Sequence, residues 1–203
     1  MRGIKLKILL IIAHPKEGSF NHAIASTAIK TLEDNGYEVI FHDLYAENFD
    51  PILHNREIPK NAEVEPWIDE HCQELSFVDG IIIVHPNWWG MPPAILKGWV
   101  DRVIRAGVAY EFIDSDIGEG VPIGLLKADN VLIFNTSNTH EEREREVFGD
   151  PLEILWKKCI FGLCGIKNLH RKNYGVIVTS TLEQREKWLK DVVKTVNLVF
   201  PEI

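Results

Sequence analysis

Cysteine is scarce in this sequence of 203 residues, with three in all: Cys72, Cys159 and Cys164. Odd in number and irregularly spaced, they exclude a disulfide framework and read as reduced thiols. No apolar run approaches the roughly 20 residues that cross a bilayer, so no membrane insertion is expected. Positive charge is in deficit. Lysine and arginine total 22 against 30 acids, a formal net charge of −8. Such an excess of acid repels phosphate backbones and anionic lipid, which argues against nucleic acid and membrane surfaces as partners. Neither GxGxxG nor GxxxxGKS/T occurs, so an ordinary Rossmann dinucleotide site and a P-loop are both disfavoured. No repeat, low-complexity tract or linker divides the chain.

What is present is average for a globular protein: 45% hydrophobic and 26% charged residues. One domain covering residues 1–203 is expected at this length. Arg2, Lys5 and Lys7 before the apolar residues 8–13 resemble the start of a signal peptide. That run is short, however, and His14-Pro15-Lys16-Glu17 follows where small cleavage-site residues would stand. A soluble, cytoplasmic protein is expected.

Four short apolar runs without alternation, at 6–13, 80–84, 131–134 and 175–179, suit strands buried on both faces of a parallel sheet. The stretch 37–44 alternates more and reads as a strand nearer an edge. Helical patterns lie between: 21–35, closed by Gly36; 94–105, with Ile95, Trp99 and Val103 in one stripe; 151–163; and 183–199. Strand and helix therefore alternate, which predicts an α/β doubly wound sheet with helices on both faces. The stretches 45–65 and 107–129 are the least regular. The second is too long for an ordinary connection and is expected as an excursion beside the site.

In an open α/β sheet ligands bind beyond the carboxyl ends of the strands, so the loops there carry the argument. After the first run, Ser19 stands at a helix start, where a hydroxyl, free backbone N–H groups and the helix dipole could meet a phosphate. His14 and Lys16 could add charge; an ordinary capping role for Ser19 is the alternative. After the 80–84 run comes His85-Pro86-Asn87-Trp88-Trp89-Gly90-Met91-Pro92. Two adjacent tryptophans in a loop suggest packing on something flat, such as a planar cofactor, or one of them plugging the core. The third loop is Asn135-Thr136-Ser137-Asn138-Thr139-His140.

The Ser19-Phe20-Asn21 loop and the long stretch from Asn87-Trp88-Trp89-Gly90 through Ala94-Ile95-Leu96-Lys97-Gly98-Trp99 to Asp101-Arg102-Val103 resemble the flavodoxin-like NAD(P)H:quinone oxidoreductases. That family takes in the DT-diaphorase type, the modulator-of-drug-activity enzymes and the ancillary subunits of potassium efflux systems. The resemblance covers nearly the whole chain. It implies a three-layer flavodoxin-like fold with a five-stranded parallel sheet in the order 2-1-3-4-5. It also implies a bound flavin, FAD or FMN, NAD(P)H as co-substrate, a quinone-like acceptor, and a homodimer with sites at the interface. By motif position, His14, Ser19, Phe20 and Asn21 would carry the flavin phosphates. Asn87, Trp88 and Trp89 would border the flavin ring and what stacks on it, with His85, Pro86 and Gly90 of the same loop counted in the cofactor set. Asn135, Thr136, Ser137 and Asn138 would approach the pyrimidine edge.

The chain departs from the family where studied members carry Thr-Thr-Gly-Gly, then a Tyr and a His. Here the loop has no glycine pair, the His position is Phe148, and residues 141–145 contain no tyrosine. Trp89, as a stacking wall, and His140, as a proton donor, are the catalytic candidates; His140 reads equally as a solvated loop residue. Residues 141–146 read as an exposed helical turn, Cys159 and Cys164 as core, and Asp101–Arg102 as a structural pair, a partner contact or an NAD(P)H contact. No metal site is expected. The reading is an NAD(P)H dehydrogenase (quinone)-type flavoenzyme; the alternative is a flavin-bearing regulatory subunit docking on a transporter. A flavodoxin-type electron carrier would need a short Ser/Thr/Gly phosphate loop, which is absent.

Overall fold

The structure, a computed structural model, describes residues 5–112, 120 and 122–203. Arg2 and the centre of the 107–129 excursion lie outside the described residues. Five strands form one parallel sheet: β1 (Lys7–Ile12), β2 (Glu38–Asp43), β3 (Gly80–Pro86), β4 (Asn130–Ser137) and β5 (Asn168–Gly175). Their order across the sheet is 2-1-3-4-5. A separate antiparallel pair, Tyr110–Glu111 with Ile123–Gly124, flanks the excursion.

Period-two alternation sorts the core into two layers. Leu9, Ile11, Ile81, Ile83, Val131 and Ile133 point to one face, where they meet α2 (Pro66–Phe77), α3 (Ala94–Val103) and the segment from Pro151. Ile8, Leu10, Ile12, Ile82, Val84, Leu132 and Phe134 point to the other and meet α1 (Phe20–Asp34) and the C-terminal helix Leu182–Val199. The central strand β3 is buried at every residue, whereas the edge strand β2 is only partly covered. On α3, Gly98 lies directly against Pro51, and a methyl group there would collide with the Pro51 backbone.

Three expectations are corrected. The last strand is Asn168–Gly175 and not 175–179. As an edge strand it is mostly polar, with only Leu169 and Tyr174 buried, so it lacks the continuous apolar run that marks the inner strands. Helix α2 was not anticipated; it starts on Pro66 and buries Ile68, His71, Cys72 and Leu75 at helical spacing. The 151–163 helix is a short α-helical turn, Pro151–Ile154, running into π-helical Leu155–Ile160. Two side-chain expectations change as well. Cys159 is exposed, while Cys164 is buried. Asp101 pairs with Lys97, whereas Arg102 makes a buried bidentate pair with Glu57, at 2.9 and 2.7 Å, so the two neighbours are not partners.

Candidate functional site

Beyond the carboxyl ends of β1, β3 and β4 the three loops close on a cleft of about 300 Å³. Its walls include His14, Ser19, Asn21, Asn87, Trp88 and Thr136. Among the described residues that line it, none is a carboxylate, and two, Lys16 and Arg185, are cations. In a chain of net charge −8 that is a local reversal of sign.

Helix α1 aims its N-terminus into this space. Ser19 is its N-cap, its Oγ accepting the His22 amide at 3.4 Å, and no acidic residue stands in the first turn to compensate the dipole. The capping role weighed for Ser19 and its place in the cleft wall thus coexist. Asn21 is nearly fully buried and donates from Nδ2 to Thr136 Oγ1 at 2.9 Å, tying the start of α1 to the end of β4. His14 Nδ1 accepts the Lys16 amide at 3.1 Å, which leaves Nε2 as the protonated nitrogen of the neutral ring. Burial lowers the His14 pKa from its ordinary value.

The tryptophan loop is a four-residue turn. Trp88 and Met91 exchange both backbone hydrogen bonds at 3.0 Å, and Asn87 Oδ1 accepts the Gly90 amide at 2.9 Å. The two central residues have positive φ, 58° at Trp89 and 73° at Gly90, as in a type I′ turn. Gly90 suits that geometry, and a Cβ there would come within 2.6 Å of Pro151. A bulky residue in the left-handed region is an outlier, and Trp89 holds it with its side chain 101% exposed. Trp88 is 42% exposed and borders the cleft, so neither tryptophan plugs the core.

Behind the loops lies a largely buried hydrogen-bond chain. His85 is fully buried; its Nδ1 donates to Pro86 O at 2.9 Å, and its Nε2 accepts from Asn135 Nδ2 at 2.7 Å and Trp156 Nε1 at 3.0 Å. Arg171 donates to Asn135 Oδ1 at 3.1 Å and is itself held by Asp150 and by Glu153 at 2.9 Å. Burial lowers the His85 pKa to about 4, with the Arg171 charge adding to the effect.

Of the residues expected at the site, His14, Ser19, Phe20, Asn21, Pro86, Asn87, Trp88, Thr136, Ser137 and Asn138 line the cleft. His85 and Asn135 lie beneath it with their side chains turned into the buried network. Trp89 and Gly90 form the turn at its rim. His140 stands at the N-terminus of the short helix Glu141–Glu146, exposed and without a side-chain capping bond, and does not line the cleft. Phe148 is also exposed, under the Arg143 guanidinium. Lys16, expected to add charge, lines it too, and Gly18, Ile177 and Arg185, which sequence reading did not assign to the site, complete the lining. Arg185 comes from the C-terminal helix, with Nε donating to Ser180 Oγ at 2.8 Å and its guanidinium 5.9 Å from the Phe20 ring. Nothing in the sequence near it marks it as part of the site.

Comparison with known proteins agrees with this architecture. A family model described as a flavodoxin-like fold matches residues 6–194. An uncharacterized NAD(P)H oxidoreductase of Haemophilus influenzae is 37% identical over 174 residues, covering 83% of each chain. NAD(P)H dehydrogenase [quinone] 1 of Cavia porcellus is 33% identical over 193 residues, covering 84% of this chain and 69% of the relative. Among solved structures, Smu.1420 of Streptococcus mutans superposes with a TM-score of 0.78 at 27% identity, over 96% of this chain and all of that one.

Proposed function

The chain belongs to the flavodoxin-like fold family and is an NAD(P)H oxidoreductase of the NAD(P)H dehydrogenase (quinone) type, and on that premise we propose that its strand-end cleft holds a flavin, FAD or FMN, that serves a quinone-like acceptor. The observation that carries the reading is the acid-free cleft: a helix N-terminus, Ser19, Lys16 and Arg185 converge there in an otherwise acidic protein. The donor set fits a phosphate-bearing group, and the half-exposed Trp88 indole fits a planar ring beside it.

In that role the amides at the start of α1 and the side chains of Ser19, Lys16 and Arg185 bind phosphate. The Asn21–Thr136 and Asn87–Gly90 hydrogen bonds hold the ring-facing loops rigid. A bound flavin supplies two-electron hydride chemistry; the protein supplies orientation and electrostatics. Trp88 and Trp89 form the stacking wall and keep water from the reacting face. Trp89, fully exposed on a strained turn, gains a covering partner when a second copy of the chain packs over it, which is the homodimer we propose. His140, weighed from the sequence as a proton donor, does not line the cleft, whereas His14 does, with its Nε2 protonated. No helix among the described residues is long and apolar enough to cross a membrane.

The test is the visible spectrum of the purified protein before and after anaerobic NADPH, then NADH. A flavin spectrum that bleaches and returns with a quinone supports the assignment. A flavin that stays oxidised with both nucleotides would favour the regulatory-subunit reading, and a colourless protein that cannot be reconstituted with FAD or FMN would overturn the cofactor assignment. Trp89→Ala should slow NAD(P)H oxidation much more than it weakens flavin retention; equal losses would remove Trp89 from the stacking wall.

A further inference from the structure

A second cavity, larger than the cleft at about 450 Å³, lies elsewhere in the fold, between the end of β2 and α2. It is lined by His42, Glu47, Phe49, Trp67, Glu70 and His71, among others. The alternation of β2 creates it. Asp43 faces α1 and accepts from His22 Nε2 at 3.0 Å, while the preceding residue, His42, turns to the opposite face and meets α2. On α2, His71 and Glu74 stand three residues apart and so share one side of the helix. One ring nitrogen from each histidine and a carboxylate oxygen of Glu74 lie within 4.8 Å of one another.

We propose that His42, His71 and Glu74 bind one divalent transition-metal ion, zinc foremost. Two imidazoles and one carboxylate suit zinc, cobalt(II) or nickel(II), whereas calcium and magnesium prefer oxygen donors throughout. The orienting contact is already in place. His42 Nδ1 lies 2.9 Å from Glu47 Oε1, so Glu47 holds that N–H and turns Nε2 toward Glu74 Oε2, 2.6 Å away. A carboxylate that fixes the far nitrogen of a metal-binding histidine is the usual arrangement around such ions. Charge argues the same way. One imidazolium between Glu47 and Glu74 leaves a negative charge uncompensated, and the second ring, its centroid 4.0 Å from the first, cannot supply another cation without repulsion. A dication in place of the His42 Nε2 proton neutralises the set. His71 gives up one contact to join: Trp99 Nε1 donates to its Nδ1 at 3.4 Å, at the outer limit of a hydrogen bond. Whichever nitrogen of His71 ligates, that indole N–H competes. Three protein ligands would leave the fourth position of a tetrahedral ion to water. The ion would join β2 to α2, which stabilises the folded state by mass action.

The experiment uses the 203-residue chain stripped of metal by a chelator and titrated with zinc against a chromophoric competitor near neutral pH. We expect one equivalent bound, a raised melting temperature, and no competition from excess magnesium or calcium. His42→Gln and His71→Gln should each weaken binding at least about tenfold, the scale of losing a ligand or its support, whereas His170→Gln, at an exposed and distant position, should not. Trp99→Phe removes the competing indole donor and should tighten binding. Cobalt(II) added to the unmutated chain should give visible bands of tetrahedral intensity, a readout that needs no variant. Absence of stoichiometric zinc, binding unchanged in both histidine variants, or a weak octahedral cobalt spectrum would each overturn the site.

Discussion

His85 gives the structure an acid-labile point directly beneath the cleft. Its Nε2 accepts two hydrogen bonds, from Asn135 Nδ2 and Trp156 Nε1, and its Nδ1 donates to Pro86 O. Protonation would set an N–H against two donors. The Asn135 amide cannot turn over to relieve this, because its Oδ1 is held by Arg171. The ring therefore stays neutral in the native state, with its pKa lowered from 6.5 to about 4 by burial and then by the Arg171 charge. In the unfolded chain it titrates at the ordinary value. As pH falls through 6.5 the unfolded state takes a proton that the native state refuses, so stability drops between pH 6.5 and about 4 and levels off below. At about 1.4 kcal/mol per pKa unit, the loss from this residue is roughly 3 kcal/mol. The assay is urea unfolding at several pH values for the unmutated chain and for His85→Gln, whose amide oxygen can accept in place of Nε2. His71, also lowered to about 4, acts in both proteins and cancels in the comparison. The variant should lose roughly 3 kcal/mol less than the unmutated chain across that window. Parallel stability–pH curves would refute the reasoning.

Gly90→Ala places a methyl group against Pro151 at a φ of 73°, so it should disturb the Trp88–Met91 turn and weaken flavin retention and turnover together, read by flavin content and NADPH oxidation. Glu57→Ala leaves the Arg102 guanidinium, 0% exposed, without its bidentate partner and should cost about 3–5 kcal/mol in urea unfolding; a loss under about 1 kcal/mol would mean that Asp50 suffices as counter-charge. Arg185→Glu introduces the only carboxylate among the described cleft residues, and flavin should dissociate from it more readily, the more so at low salt, as followed by ultrafiltration and absorbance.

What the sequence disclosed depended on how many faces of an element are buried. Strands β1, β3 and β4 have helices on both sides, so the runs 8–12, 81–84 and 131–134 are unbroken apolar residues and stand out. Strand β5 borders only β4; its His170 and Lys172 are exposed and its Arg171 serves Asn135, so its run reads as polar and the apolar residues after it carry the stronger strand pattern. Helix α2 was hidden for a similar reason. Its stripe contains His71 and Cys72 beside Ile68 and Leu75, and its solvent face is dense in acids, which blurs the period.

The site divides along the same physical line. Residues in the loops at strand ends were visible because their types are expensive or odd for a plain connection: paired tryptophans, a histidine before a proline, a run of amides and hydroxyls. Arg185 was invisible because an arginine on an amphipathic helix is ordinary; only the fold brings it across to Phe20 and the cleft. Sequence position also misled about depth. His85 and Asn135 sit in the loops by number, yet the last pleat of β3 and β4 turns both inward, where Trp156 and Arg171 meet them. The neighbours of these two residues, Pro86 and Thr136, face the cleft instead. At the end of a buried strand a shift of one residue separates the groups that touch a ligand from the groups that hold the wall behind it. That alternation, more than the motif, decides which of the loop residues meets the cofactor and which carries its support.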